Sequence, residues 1–206
     1  MKKSKLINII SSTMLLIVII STALTVSAQT GINAPGGITP RPVVMRVHHT
    51  MQSDWVTVLG FARNSWNNQG FGNLFDKNNF PLHVTLGYGF VNGYNDITLW
   101  NRGVNSYIMQ VNIVSRGVVN GKSTIFEIDM DINTSHNWFV DRTLTKPVPT
   151  DAVDFHTATI HELGHVLGLY HNTNTQRVSP MFGALRFGES RRNIHSDDKT
   201  ALGKIY

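Results

Sequence analysis

The 206-residue chain contains no cysteine. That absence removes disulfides and thiolate nucleophiles together, so the fold must be held by packing, with metal ions as the remaining candidate staple. Charge is sparse too, at 15% of residues, while 41% are hydrophobic. This balance fits one globular domain with a sizeable core and excludes a disordered, solvated chain. No internal repeat is visible, so a stacked-repeat architecture is not expected. Excess positive charge is also scarce. Of the 18 basic residues, Lys2, Lys3 and Lys5 lie in the first 28, leaving 15 against 13 acidic and a net charge of +2. Arg186, Arg191 and Arg192 cluster late in the chain, but no nucleic-acid motif or interleaved aromatic platform accompanies them. They read as a solvated surface, and nucleic acid is not an expected partner.

Long apolar runs are confined to the beginning. Three lysines, an apolar stretch over residues 6–26 and the small-residue sequence Val26-Ser27-Ala28 predict a signal peptide over residues 1–28, cut after Ala28. An uncleaved membrane anchor is the alternative, though Ser11, Ser12, Thr13, Ser21 and Thr22 dilute the run. Cleavage implies a secreted protein without stable membrane association. Residues 29–42 carry Pro35, Pro40 and Pro42 with Gly31, Gly36 and Gly37, which argues for a linker, an extended arm or a short pro-segment. A single domain is expected over residues 43–206, as a monomer.

Within it, β-branched residues predict a strand over 43–48. Trp55, Leu59, Ala62 and Trp66 share one face of a helix, with Ser53 as N-cap and Gly70 as stop. The tryptophans on that stripe read as packing rather than carbohydrate binding. Strands are expected over 82–91, 97–100, 107–115 and 124–132, the last two joined by a turn at Asn120-Gly121. A second helix is expected over about 152–167. Helices segregated from mostly β structure give an α+β class.

The chemistry is concentrated in His161-Glu162-Leu163-Gly164-His165-Val166-Leu167-Gly168-Leu169-Tyr170-His171. On a helix, His161 and His165 share one face a turn apart, where two imidazoles can grip one metal ion, with Glu162 beside it. Gly168 can adopt the left-handed conformation that ends a helix and turns the chain back, delivering His171 as third ligand. Three ligands leave a tetrahedral position open, the arrangement of a catalytic zinc. A buried amphipathic helix with incidental histidines is the bland alternative.

Other candidates are weaker. Asp129, Asp131 and Asn133 alternate along a strand end and could offer oxygen ligands to calcium, or simply form a polar strand face. His48 and His49 are adjacent in a strand and point to opposite faces, which argues against joint ligation. His83, His136, His156 and His195 have no assigned role.

The sequence HELGHVLGLYH resembles the extended zinc signature of the metzincin endopeptidases. Ser179-Pro180-Met181-Phe182 looks like their methionine turn, with Met181 under the metal. TIFEIDMDINTSHNWF and the ending HSDDKTALGKIY are similar to the matrixin branch. The resemblance implies a twisted, mostly parallel sheet, a long core helix, an active-site helix, and a small C-terminal subdomain holding the methionine turn and a final helix. It also implies a substrate-binding strand edge at 107–115 and a specificity-pocket wall over 182–187. Two departures stand out. Many matrixins are held latent by a cysteine that this chain lacks, and Gly183 stands where astacin-like and serralysin-like relatives place a tyrosine.

The function these features point to is a secreted zinc endopeptidase, acting on protein or peptide substrates through a zinc-activated water with Glu162 as general base. The alternative is a secreted binding or toxin-like module that keeps zinc for stability without turnover. A hydrolase with a distal glutamate as third ligand is disfavoured because His171 already fills that place.

Overall fold

A computed structural model describes residues 34–84, 88–173 and 178–206. The expected signal peptide lies outside the described residues. Among those described, no helix is long and apolar enough to cross a membrane. Residues 34–42 form no helix or strand of their own, yet Ala34 and Ile38 are buried. Ile38 bridges to Ile125, and the Gly36 amide donates to the Ser123 carbonyl at 2.8 Å.

The first strand, β1, is Met45–His48, followed by helix α1, Ser53–Asn67. Ser53 does not cap this helix as expected. Gln52 occupies the N-cap and makes no side-chain cap bond, so α1 begins one residue earlier relative to its cap than a serine cap predicts. Val58, Leu59, Ala62 and Trp66 are its buried stripe. Trp66 fits the packing role, its indole donating to the Ile160 carbonyl at 2.9 Å. Trp55 is only half-buried and lies against Trp138 and Phe155.

Strand β2 is Leu82–His83 and β3 is Asn95–Trp100. The expected strand over 82–91 is therefore shortened to two described residues, with 85–87 outside the description. The cause is visible downstream. Gly89 and Gly93 have φ of 80° and 79°, which strand geometry excludes. The Gly89 amide donates to Asp129 at 2.8 Å, and the amides of Asn92 and Gly93 donate to Glu127 at 2.8 and 3.1 Å. Buried carboxylates thus take the backbone donors that a ladder would have used.

Strands β4, Met109–Val119, and β5, Lys122–Asn133, form a long hairpin closed by Asn120 and Gly121. Both turn residues have positive φ, 51° and 75°, matching the twist that a two-residue hairpin needs. The short strands β6, Trp138–Phe139, and β7, Val153–Asp154, pair with each other. Helix α2, Phe155–Val166, and helix α3, Ser196–Gly203, follow.

The main sheet has the order β2-β1-β3-β5-β4, with parallel pairing except between β4 and β5. This is the α+β, mostly parallel arrangement expected. The alternation of β5 sorts its faces. Ile128, Met130 and Ile132 join the core cluster with residues of α1 and α2, while Glu127, Asp129, Asp131 and Asn133 occupy the opposite face. Parallel strands placed side by side and α2 packed on α1 bring the metal-motif helix against the terminal strand β4.

Candidate metal centre and active site

Helix α2 starts where Asp154 accepts from the Thr157 amide at 3.1 Å and the Thr157 hydroxyl at 2.6 Å. A carboxylate at a helix N-terminus favours the helix dipole as well as satisfying its free donors. Asp154 is held by the Arg192 guanidinium, with Nη2 at 2.6 Å and Nε at 3.0 Å. Every residue of α2 is buried, so this is a helix that offers its polar side chains only to interior partners.

At its other end the helix stops as the sequence implies. Gly168 has φ of 93°, and its amide donates to the His165 carbonyl at 2.9 Å. A Cβ there would also lie 2.9 Å from the Ala34 carbonyl oxygen, so glycine is required by both conformation and space. The reversal brings His171 back, its ring centroid 5.1 Å from that of His161 and 4.9 Å from that of His165. Ligand atoms of His161, His165 and His171 all lie within 4.8 Å of one another.

The hydrogen bonds decide what these rings can do. Nδ1 of His161 donates to the Pro180 carbonyl at 2.7 Å, and Nδ1 of His165 donates to the Leu169 carbonyl at 2.7 Å. Each bond fixes the tautomer and leaves Nε2 as a lone pair. The two Nε2 atoms face each other at 3.1 Å, and Nε2 of His171 is buried without a hydrogen-bond partner. Converging lone pairs repel unless a cation sits between them, so the donor set fits a divalent metal ion. Burial pushes all three imidazoles below their ordinary range, His165 to about 4 and His161 well below 6.5. They are neutral at pH 7, the state a metal ligand needs.

Glu162 is fully buried, and neither carboxylate oxygen has a hydrogen-bond partner. Burial pushes its carboxyl well above the usual range. A buried carboxyl one residue from a candidate ligand is a candidate proton carrier.

Met181 is buried against the helix between the first two ligands. A Cβ on Gly164 would overlap Met181 Sδ and approach Trp66 Cζ2 to 2.9 Å, so only glycine admits the thioether at this point of α2. The turn itself is fastened by α3. Asp198 accepts from the Ser179 hydroxyl at 2.6 Å and from the Asn172 amide group at 3.2 Å, and the Ser179 hydroxyl accepts from the Met181 amide at 2.9 Å. The same methionine accepts from the Asn172 backbone at 2.7 Å, tying the turn to the segment that carries His171. Gly183 lies so close to His171 that a Cβ would be 2.9 Å from Nδ1.

Sequence reasoning located the three histidines, Glu162 and Met181, and the structure brings them together. It did not single out Asp154 or Asp198, quoted Ser179 without a role of its own, and read Arg191 and Arg192 as solvated surface, whereas Arg191 is buried among backbone carbonyls and Arg192 is mostly buried against Asp154. The only local sign was the Asp198 position in the capping box that His195 opens.

Asp129, Asp131 and Asn133 share one face of β5, but protein donors occupy their oxygens. Asp129 takes the Gly89 and Asp96 amides, and burial holds its carboxyl up at about 6. Asp131 takes Arg102 at 2.9 Å, the Tyr107 hydroxyl and Thr98. Asn133 accepts from the Arg102 and Ser135 amides. A calcium ion there would have to displace these donors. Of the unassigned histidines, His83 and His136 each bond a backbone carbonyl, and His195 caps α3. Among the described residues, His161, His165 and His171 form the converging group of metal-ligating side chains.

Residues 109–206 match the sequence model of the matrixin family, peptidase M10. A stretch of 55 residues is 40% identical to stromelysin-1 of Equus caballus, covering 26% of this chain and 11% of that protein. The chain thus aligns with about a tenth of that relative's length. The family match runs from β4 through α2 to α3, and so through the segments that carry His161, Glu162, His165, His171 and Met181. Over those residues the chain is similar to the matrixin family.

Proposed function

We propose that the protein is a secreted zinc-dependent endopeptidase. The observation that carries this reading is the placement of Glu162: a buried carboxyl without a partner, one residue from His161, where three neutral imidazoles converge. A site needed only for stability has no use for an unpaired buried acid, which is expensive to keep.

His161, His165 and His171 would hold zinc, which when bound supplies Lewis acidity that acidifies water and polarises a carbonyl. Glu162 would accept the proton of the attacking water and deliver it to the nitrogen of the departing amine. Its raised pKa suits both halves of that transfer, since an ordinary carboxyl would be too weak a base. The Pro180 and Leu169 carbonyls keep the first two rings from turning, so their Nε2 donors are held ready for the ion. Peptide would bind extended along β4, which is the terminal strand of the sheet and can accept one more strand by backbone hydrogen bonds. Export rests on the sequence of residues 1–28.

The test is Glu162→Gln in the full chain, assayed on casein or gelatin with and without chelator. Wild type should cleave in a chelator-sensitive manner. The variant should keep its zinc and lose cleavage by about 10²–10⁴-fold, the range for a general base. Cleavage at the wild-type rate by the variant, or none by the zinc-loaded wild type, refutes the proposal.

A further inference from the structure

Arg191 lies between Met181 and α3, and its side chain is buried. Its Nη1 donates to the carbonyls of Ser179 and Phe182, each at 3.0 Å, and its Nη2 donates to the carbonyl of Ala184. One planar fork therefore spans three carbonyls of a six-residue segment. Desolvating a guanidinium is costly, so its retention here calls for something that an apolar side chain could not provide. A rigid array of donors in one plane is such a property, and lysine does not share it.

The segment held by Arg191 is the one that touches the metal ligands. Pro180, between two of the anchored carbonyls, accepts from His161. Gly183, between the other two, backs onto the His171 ring. The opposite side of Arg191 is fixed to α2: its backbone amide donates to the Thr157 hydroxyl at 2.8 Å, which donates in turn to Asp154. The fork thus references the turn to the same helix that carries His161 and His165.

We propose that Arg191 is a positioning residue of the metal centre, holding residues 179–184 against α2 so that the Pro180 carbonyl and the Gly183 backbone aim His161 and His171. The inference rests on the reading of the three histidines as a metal site.

Its test is the zinc affinity of the full chain, measured by competition with a chromophoric chelator, for Arg191→Met, Arg191→Lys and the control Arg46→Met. Arg46 lies on β1, its guanidinium paired with Asp96 at 2.6 and 2.7 Å and sharing no partner with Arg191. Its loss should lower thermal stability and leave zinc affinity within about twofold. Both Arg191 variants should bind zinc about 10–100-fold more weakly, the usual effect of removing the groups that orient ligands. Cobalt-substituted protein should show shifted d–d bands in these variants and not in the control. If Arg191→Met does not fold, Arg191→Lys, which keeps charge and reach, decides the matter. Wild-type affinity in the Arg191 variants, or an equal loss in Arg46→Met, overturns the proposal. Failure of the unmodified chain to bind zinc overturns both this inference and the metal-site reading beneath it, whereas an Arg191 result alone leaves that reading intact.

Discussion

His156 sits in the first turn of α2, buried, with neither ring nitrogen hydrogen-bonded. Burial lowers its imidazole from 6.5 to about 4; Asp154 opposes the shift and Arg192 reinforces it. The sign of the consequence follows from linkage. Above pH 6.5 the ring is neutral whether the chain is folded or not, and it contributes no pH dependence. Between pH 6.5 and 4 the unfolded chain takes up a proton that the folded chain does not, so stability falls by about 1.4 kcal/mol per pH unit, about 3 kcal/mol in all. Replacing His156 with leucine removes the titration and two unsatisfied buried nitrogens. At pH 7 the variant should be about 1 kcal/mol more stable than wild type, because a buried polar atom without a partner costs about 1–3 kcal/mol and the new side chain fits imperfectly. By pH 4.5 the gap should widen by about 2–3 kcal/mol. Urea unfolding of both proteins across pH 7 to 4.5, with chelator present throughout, isolates His156, since His161, His165 and His171 titrate alike in each. Parallel stability curves over that range would refute the reasoning.

Two further perturbations probe the packing around the metal centre. Gly164→Ala should gain about 1 kcal/mol from helix propensity and lose about 1–3 kcal/mol to overlap with Met181 and Trp66, for a net loss of up to about 2 kcal/mol; a measured gain in urea midpoint would mean that the thioether does not pack there. Asp198→Ala removes the acceptor shared by the Ser179 hydroxyl, the Asn172 side chain and the His195 amide, and should destabilise the protein by about 3 kcal/mol, since hydrogen bonds to a buried charge are worth about 1.5–3 kcal/mol. A loss below about 0.5 kcal/mol in thermal unfolding would show that α3 does not fasten the methionine turn.

What the sequence revealed and what it hid divide along the range of the interactions. The pairing of His161 with His165, the stop at Gly168 and the turn at Asn120-Gly121 are properties of a few neighbouring residues, and each is in place. The alternation of β5 was equally legible, because side chains two apart in a strand share a face whatever packs on them. By contrast, the strand expected over 82–91 is broken at Gly89, whose amide goes to Asp129, 40 residues downstream, and Glu127 holds the amides of Asn92 and Gly93 just beyond it. Trp55 followed the periodicity of α1 yet remained half exposed, since its neighbours Trp138 and Phe155 come from β6 and α2 rather than from the sheet. The same division runs through the metal centre itself. The motif identifies the donors, but their aim is set by carbonyls: that of Leu169, four residues past His165 and within the motif, and that of Pro180, 19 residues past His161 and outside it. Pro180 in turn is placed by Ser179, Asp198 and Arg191, whose bonds cross 7 to 19 residues. A helix can present imidazoles from its own geometry; it cannot choose their tautomers. For His161 that choice belongs to the turn beneath the helix, and the sequence signal for the turn is one methionine.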